Sequence, residues 1–410
     1  MPTRRGGRAR GAGPARARPG AGPGRGPGAS AARGGPGARA RRPYPVPIAT
    51  QAAKRLDPSV FRLPVDRIRE GYYSDAYFML TKVLLESEGE HPHVTMQVFQ
   101  KHDSILGGID EAIAVLKTCS GHATAGEWIP GWDRLKVHAL HEGDRISPHE
   151  TVMTIEGDYS LFAHLETVYL GSLARRSLIM RNVAEVVAAA RGKEIFYFPA
   201  RHDHWLVQTG DGWSAHVAGA IGVSTDAQAS WWGGRGMGTV PHGLIAAYGG
   251  DTVKAAVKFA DRFHGEMNIT VLVDFENDSV MTALRVAEAL GDRLWGVRLD
   301  TSEQLVDRSL LDERGGFQPT GVNPRLVEKV RAALDDAGFQ AVKIVVSGGF
   351  TVKRIADFEA RGVPVDAYGV GSSLIRGEND FTADVVLLDG RPCAKVGRAY
   401  APSSRLEPVA

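Results

Sequence analysis

Reactive side chains recur at one kind of position in this 410-residue chain: directly after a short apolar run. Arg201 follows EIFYF (194–198) in PARHDH, Asp226 follows the GAIGV region in STDAQ, and His242 follows GTV behind a proline. Asp274 follows ITVLV (269–273) in DFEND, and Arg298 and Asp300 end LWGVRLD. Ser347, Gly348 and Gly349 follow VKIVV (342–346), and Gly371 and Ser372 stand in GVGSS at the end of DAYGV (366–370). Short apolar runs of this kind are typical of buried parallel strands. In an α/β barrel the carboxyl ends of the strands share one face, where barrel enzymes build their active sites. That face would carry arginines, carboxylates and a histidine, a set suited to handling an anion.

The two glycine loops give the sharpest chemistry. Bare backbone N–H groups can approach phosphate oxygens, and barrels commonly form a phosphate site from the loops after their last strands, helped by helix N-termini. Either loop alone would pass for a tight turn; as a pair in these positions they point to phosphate. DFEND offers Asp274, Glu276 and Asp278, but Mg²⁺ needs only one or two carboxylates when substrate phosphates complete its shell. Asp278 also reads as an N-cap for the helix that follows. HPH (91–93) and HDH (202–204) lack a matched third ligand and read as surface or hydrogen-bonding histidines. GGRGMG (233–238) lacks the strand-to-helix setting of a dinucleotide fingerprint and reads as a loop.

These loops need a scaffold, and the rhythm after residue 190 supplies one. Apolar strands alternate with helices of the DSVMTALRVAEAL and NPRLVEKVRAALDDAG type, which implies a parallel sheet or barrel. Two helices are expected before it, near 161–170 and 173–190. Upstream, VTMQVFQ (94–100), LKVHAL (135–140) and TVMTIEG (151–157) have strand character. Ile105, Ile109, Ile113 and Leu116 fall at helical spacing between them, so this part reads as a small α+β layer. DVVLLDGRPCAKVGR (384–398) reads as a hairpin about an Asp-Gly turn that returns to that layer. The expected domains are an Arg/Gly/Pro-rich tail over 1–43, an α+β domain from 44–170 and 384–410, and an α/β barrel over 171–383.

Composition narrows the function class. The net charge of +2 divides into +11 in residues 1–42, from arginine alone, and −9 in the remainder. A tail of Arg, Gly, Ala and Pro cannot bury apolar surface and reads as disordered. Such a tail can bind nucleic acid non-specifically, but an acidic body argues against nucleic acid as the main partner. No apolar run approaches the length of a membrane span. Two cysteines without CxxC spacing, Cys119 and Cys393, suit a reducing cytoplasm.

Eight segments, in order, resemble the nicotinate phosphoribosyltransferase family: YYSDAYF (72–78), FPARHD (198–203), STDAQ (224–228), GTVPH (238–242), LVDFEND (272–278), RLD (298–300), SGGF (347–350) and GVGSS (369–373). The similarity covers roughly residues 60–400, and nicotinamide phosphoribosyltransferases have related motifs. FPARHDH (198–204) differs from the commoner, glycine-containing version of that motif. The resemblance implies an irregular α/β barrel of the type II phosphoribosyltransferase kind, with an α+β domain built from both chain ends. It implies transfer of the 5-phosphoribosyl group from phosphoribosyl pyrophosphate to nicotinate, with Mg²⁺, in NAD salvage. It also implies coupling to ATP as a co-substrate and a homodimer whose N-terminal motif completes the partner's site.

Residue by residue, the resemblance assigns Phe198 and Tyr77, the latter from the partner subunit, to the faces of the pyridine ring. Arg201 would meet the nicotinate carboxylate, and Arg298 and Asp300 the ribose and pyrophosphate. Asp274 would lie near the ribose or its magnesium. Ser347, Gly348, Gly349, Gly371 and Ser372 would cradle the 5′-phosphate, and His242 would be the phosphohistidine. Asp226 stands where nicotinamide enzymes place an acid that accepts from the amide. Nicotinamide and quinolinate are therefore the alternative substrates, and a nucleotide sensor or RNA-associated barrel is the non-enzymatic alternative. Pyrophosphate departure leaves oxocarbenium-like charge on the ribose, so alignment and electrostatics are the expected means of catalysis.

Overall fold

The computed structural model describes residues 54–410 except Arg314, Gly316 and Gln318. The tail expected over 1–43 lies outside the described residues. An antiparallel sheet runs in the order Arg391–Pro392, Thr382–Leu388, His93–Phe99, Thr151–Asp158, Lys136–Ala139, Glu407–Pro408. The expected return of the late hairpin is present: Val94 pairs with Leu388 and Phe99 with Thr382. Val94, Met96 and Val98 alternate onto one face and share a core with Ile109, Ile113 and Leu116 of helix Ile109–Cys119. Ile105 departs from the helical expectation. It sits in the short strand Ser104–Ile105, and the helix begins only after Gly108, whose φ of 81° stops the periodicity from running back.

The second sheet is parallel, ordered Ile269–Leu272, Leu294–Leu299, Lys343–Val346, Ala367–Val370, Glu194–Tyr197, Gly222–Val223. Its two edges are joined by the segment 237–240. Met237 N–H donates to the Val223 carbonyl (2.7 Å), and Val240 N–H to that of Thr270 (2.9 Å). The sheet therefore curls into an irregular barrel closed by a piece too short to count as a strand. Ile195, Val297, Ile344, Val346 and Tyr368 point outward to the helices, meeting Leu326, Val330, Ile355 and Phe358. Phe196, Val345 and Ala367 point inward with Met237 and Trp295. Each fully buried Val, Leu, Ile or Phe among them contributes roughly 1.5–3 kcal/mol.

Between the sheets runs one helix, Glu166–Ala189, where two were expected. The apparent break at Gly171 is tolerated: a helical glycine costs about 1 kcal/mol. Burial of Leu173, Ile179 and Val183 along the same helix outweighs that cost.

Candidate functional site

Strand alternation selects which side chains enter the barrel mouth. Two residues beyond the inward Phe196, Val345 and Ala367 come Phe198, Ser347 and Gly369, and the 294–299 strand delivers Arg298 and then Asp300. Phe198 stacks on Phe196 with centroids 5.7 Å apart and planes 10° off parallel. Its other neighbour is Gly369, where a Cβ would come within 2.8 Å of the ring. The first glycine of GVGSS therefore makes room for an aromatic ring. Sequence reasoning assigned Gly369 no such role.

Arg298 holds the centre. Its Nε donates to Ser347 Oγ (2.8 Å), one terminal nitrogen to Thr239 Oγ1 (3.3 Å) and the other to Asp300 Oδ2 (3.3 Å). Its guanidinium carbon lies 5.2 Å from the Phe198 ring centroid. Ser347 donates onward to Asp300 Oδ1 (2.7 Å). Burial pushes the Arg298 guanidinium below its ordinary range, with Asp300 and Asp274 opposing and Arg201 adding to the shift. Beside this chain His242 places Nε2 3.1 Å from both oxygens of Asp274. That hydrogen bond holds the imidazole above its ordinary range, against the effect of partial burial.

The expected residues reach this face with different degrees of contact. Phe198, Arg298, Asp300 and Ser347 meet directly or through one another, and the His242–Asp274 pair lies near enough for its charge to act on Arg298. Gly348 and Gly349 have φ of 85° and 67°, left-handed backbone that favours glycine, and their N–H groups take no backbone acceptor among the described residues. A Cβ on Gly348 would face Asp300, and one on Gly349 would meet the Glu303 carboxylate. Gly371 leads into the short turn Ser372–Ile375. Asp226 is exposed, with Oδ1 accepting the Gly236 N–H (2.8 Å), so the GGRGMG loop is tied to it. Tyr77 lies elsewhere, exposed on helix Ala76–Glu88 with its ring against Phe78. Asp278 caps its helix through Met281 N–H.

Several supporting residues escaped the sequence reading. Arg354 donates to the carbonyls of Gly348 (2.8 Å) and Val322 (2.5 Å) and so fixes the SGG loop; a lone arginine on a helix gives no motif. Arg175 binds Asp203 (2.6 Å) and Asp211 (2.7 Å), and Arg176 binds Asp211 and Glu111, both at 2.9 Å. This network ties the 198–203 loop to the long helix. Among the described residues, no group of three or more His, Cys, Asp or Glu is placed to hold a metal unaided. No helix among them is long and apolar enough to cross a membrane.

A parallel barrel with charged strand ends, joined to an antiparallel layer from both chain ends, is the fold of the type II phosphoribosyltransferases. The nicotinate-nucleotide pyrophosphorylase of Pyrococcus furiosus superposes with a TM-score of 0.69 at 31% identity, over 85% of each chain. Human nicotinic acid phosphoribosyltransferase shares the fold, with a TM-score of 0.59 at 15% identity over 80% of this chain and 77% of that one. Nicotinate phosphoribosyltransferase pncB2 of Mycobacterium tuberculosis is 30% identical over 263 residues, 62% of this chain and 52% of that protein. The Bacillus subtilis nicotinate phosphoribosyltransferase is 25% identical over 245 residues, 58% and 45%. Residues 75–177 match the family described as quinolinate phosphoribosyl transferase, N-terminal domain. The chain belongs to the nicotinate phosphoribosyltransferase family. It spans about half the length of the curated relatives it matches.

Proposed function

We propose that the protein transfers the 5-phosphoribosyl group of phosphoribosyl pyrophosphate to nicotinate, giving nicotinate mononucleotide and pyrophosphate in NAD salvage. The observation that carries this reading is the Phe198–Arg298–Ser347–Asp300 cluster at the barrel mouth, flanked by the two glycine loops. The flat face of Phe198 takes the pyridine ring, and Arg201 its carboxylate. Asp300 and Arg298 hold the ribose and the departing pyrophosphate, and Gly348, Gly349, Gly371 and Ser372 take the 5′-phosphate. The ring nitrogen of nicotinate is already nucleophilic, so a general base is unnecessary. Asp274 and Asp300 are two carboxylates at one mouth, enough for Mg²⁺ that arrives with its phosphates. Bound there, the metal supplies charge neutralisation for the leaving group.

ATP coupling runs through His242. The Asp274 carboxylate accepts from Nε2–H, which leaves the Nδ1 lone pair to receive a phosphoryl group. The second protomer of a homodimer supplies Tyr77. Supporting this, Tyr73, Tyr77, Leu80, Val83 and Leu84 form an exposed apolar face around helix Ala76–Glu88. Both cysteines are free thiols, which suits a cytoplasmic enzyme.

The test is the product formed from nicotinate, phosphoribosyl pyrophosphate and Mg²⁺, with and without ATP. Parallel arms contain nicotinamide or quinolinate; the 75–177 match makes quinolinate the second candidate. Turnover of nicotinamide alone would remove the carboxylate role of Arg201. Turnover of quinolinate alone would reassign the substrate, and inactivity with all three pyridines would refute the enzyme reading.

A further inference from the structure

The segment after Phe198 brings an imidazole onto the second glycine loop. A Cβ on Gly371 would lie 2.9 Å from His202 Cε1 and 3.2 Å from Nδ1, so the ring covers that glycine. The turn is fixed from within by the His202 N–H bond to the Pro199 carbonyl (2.7 Å). It is fixed from outside by Asp203, gripped by Arg175. The charged groups facing His202 are cationic: Arg201 on its own turn and Arg376 just past the Ser372–Ile375 turn. Both guanidiniums are exposed, and among the described residues neither has an ion-pairing carboxylate, the adjacent Asp203 being committed to Arg175. Arg201 and Arg376 differ from other exposed arginines in bearing on one imidazole that covers a loop glycine. An unmatched cationic cluster around a bare glycine calls for an anion.

Resting on the phosphoribosyl-transfer reading, we infer that His202, with Arg376 beside it, is a further ligand of the substrate's 5′-phosphate, reaching over the edge of the Gly371 loop. Nothing in the GVGSS motif foretells this ligand, because it comes from the neighbouring loop. Burial and the two arginines hold the free imidazole below its ordinary range. A phosphate dianion in front of it reverses that balance, so binding brings a proton onto the ring.

Ribose 5-phosphate is the probe, because its binding needs no turnover. Calorimetry on the full chain, in two buffers of different ionisation enthalpy near pH 6.5, measures affinity and proton uptake together. His202→Ala is expected to weaken binding about tenfold, as for loss of one charge-assisted hydrogen bond, and to take up less proton. His202→Gln, which keeps a donor but cannot titrate, should recover part of the affinity and none of the proton uptake. In turnover assays His202→Ala should raise KM for phosphoribosyl pyrophosphate and leave KM for nicotinate within about twofold. Equal affinity and proton uptake in parent and variant would overturn this inference alone. So would a rise confined to the nicotinate KM, which would move His202 to the pyridine. Failure of the unaltered protein to bind ribose 5-phosphate would overturn the phosphoribosyl reading itself, and this inference with it.

Discussion

Two arginine clusters lie on either side of the 198–203 loop, and they are built to opposite ends. Arg175 and Arg176 meet Asp203, Asp211 and Glu111 in a set of two cations and three carboxylates, with Asp211 only 2% exposed. At the barrel mouth Arg201 and Arg376 have no carboxylate partner among the described residues, and Arg298 shares Asp300 with Ser347. The first cluster pairs each cation with carboxylates and is buried at Arg176 and Asp211, so it holds elements together. The second leaves positive charge unspent beside glycine backbone, the condition for binding an anion that arrives from outside. In this pair of clusters, matched charge joins elements and unmatched charge faces the mouth.

Removing an arginine from the mouth should therefore spare the fold and stop the chemistry. Arg298→Ala is expected to lower kcat/KM by roughly a thousandfold, about 4 kcal/mol of transition-state stabilisation. Its unfolding free energy should change by less than about 1 kcal/mol, because a partly open site can be rehydrated. Steady-state kinetics and urea unfolding on the same preparation check both halves. A large stability loss with intact turnover would erase the distinction between the clusters.

The reciprocal substitution is Asp211→Ala. It strips Arg176, 9% exposed, of one of its two partners and should cost about 3 kcal/mol of stability. Catalytic efficiency per folded molecule should stay within a few-fold of the parent. A drop confined to activity would mean that the closed network acts on the substrate after all.

A milder effect is expected from Glu142, which lies buried beside Asp110 in the antiparallel layer and accepts N–H bonds from Gly108 and Asp110. Burial, then the Asp110 charge, pushes its carboxyl up to about 8. Its folded pKa exceeds the unfolded value, so the native state holds more protons between about pH 4.5 and 8. Stability from this group is thus present at low pH and lost as pH rises through that window. Glu142→Gln should unfold like the parent at pH 5 and be more stable at pH 8, by on the order of 1–2 kcal/mol. Equal midpoints at pH 8 would show that Glu142 ionises freely.

How much of this was readable in advance follows from the range of each interaction. Strand positions are local, and the runs at 194–198, 269–273 and 294–299 give the barrel staves with Arg298, Asp300 and Asp274 at their ends. The long helix was misread at Gly171 because the packing that outweighs a glycine comes from distant residues. The closure of the barrel through 237–240 left no apolar run to see. Gly369 was visible as a glycine, but its reason, the Phe198 ring, lies across the sheet. Arg354 and the Arg175–Asp203 contact join segments 28 or more residues apart or grip backbone carbonyls, and neither produces a motif.

The finest test of the mouth concerns His242, where one carboxylate is spent on one imidazole. Asp274 is nearly buried while His242 is 43% exposed, so the pair presents its free nitrogen outward. The Asp274 hydrogen bond raises the imidazole, and only the unprotonated ring can receive a phosphoryl group. ATP stimulation should therefore rise with pH through a value above the usual imidazole range, while transfer without ATP should lack that step. Asp274→Asn should move the step to lower pH, and His242→Ala should abolish stimulation. Basal transfer in His242→Ala should fall less than tenfold, about 1 kcal/mol, since this ring touches neither Phe198 nor the glycine loops. Stimulation that persists in His242→Ala would return the histidine to the company of Arg175 and Arg176, a charge placed for structure.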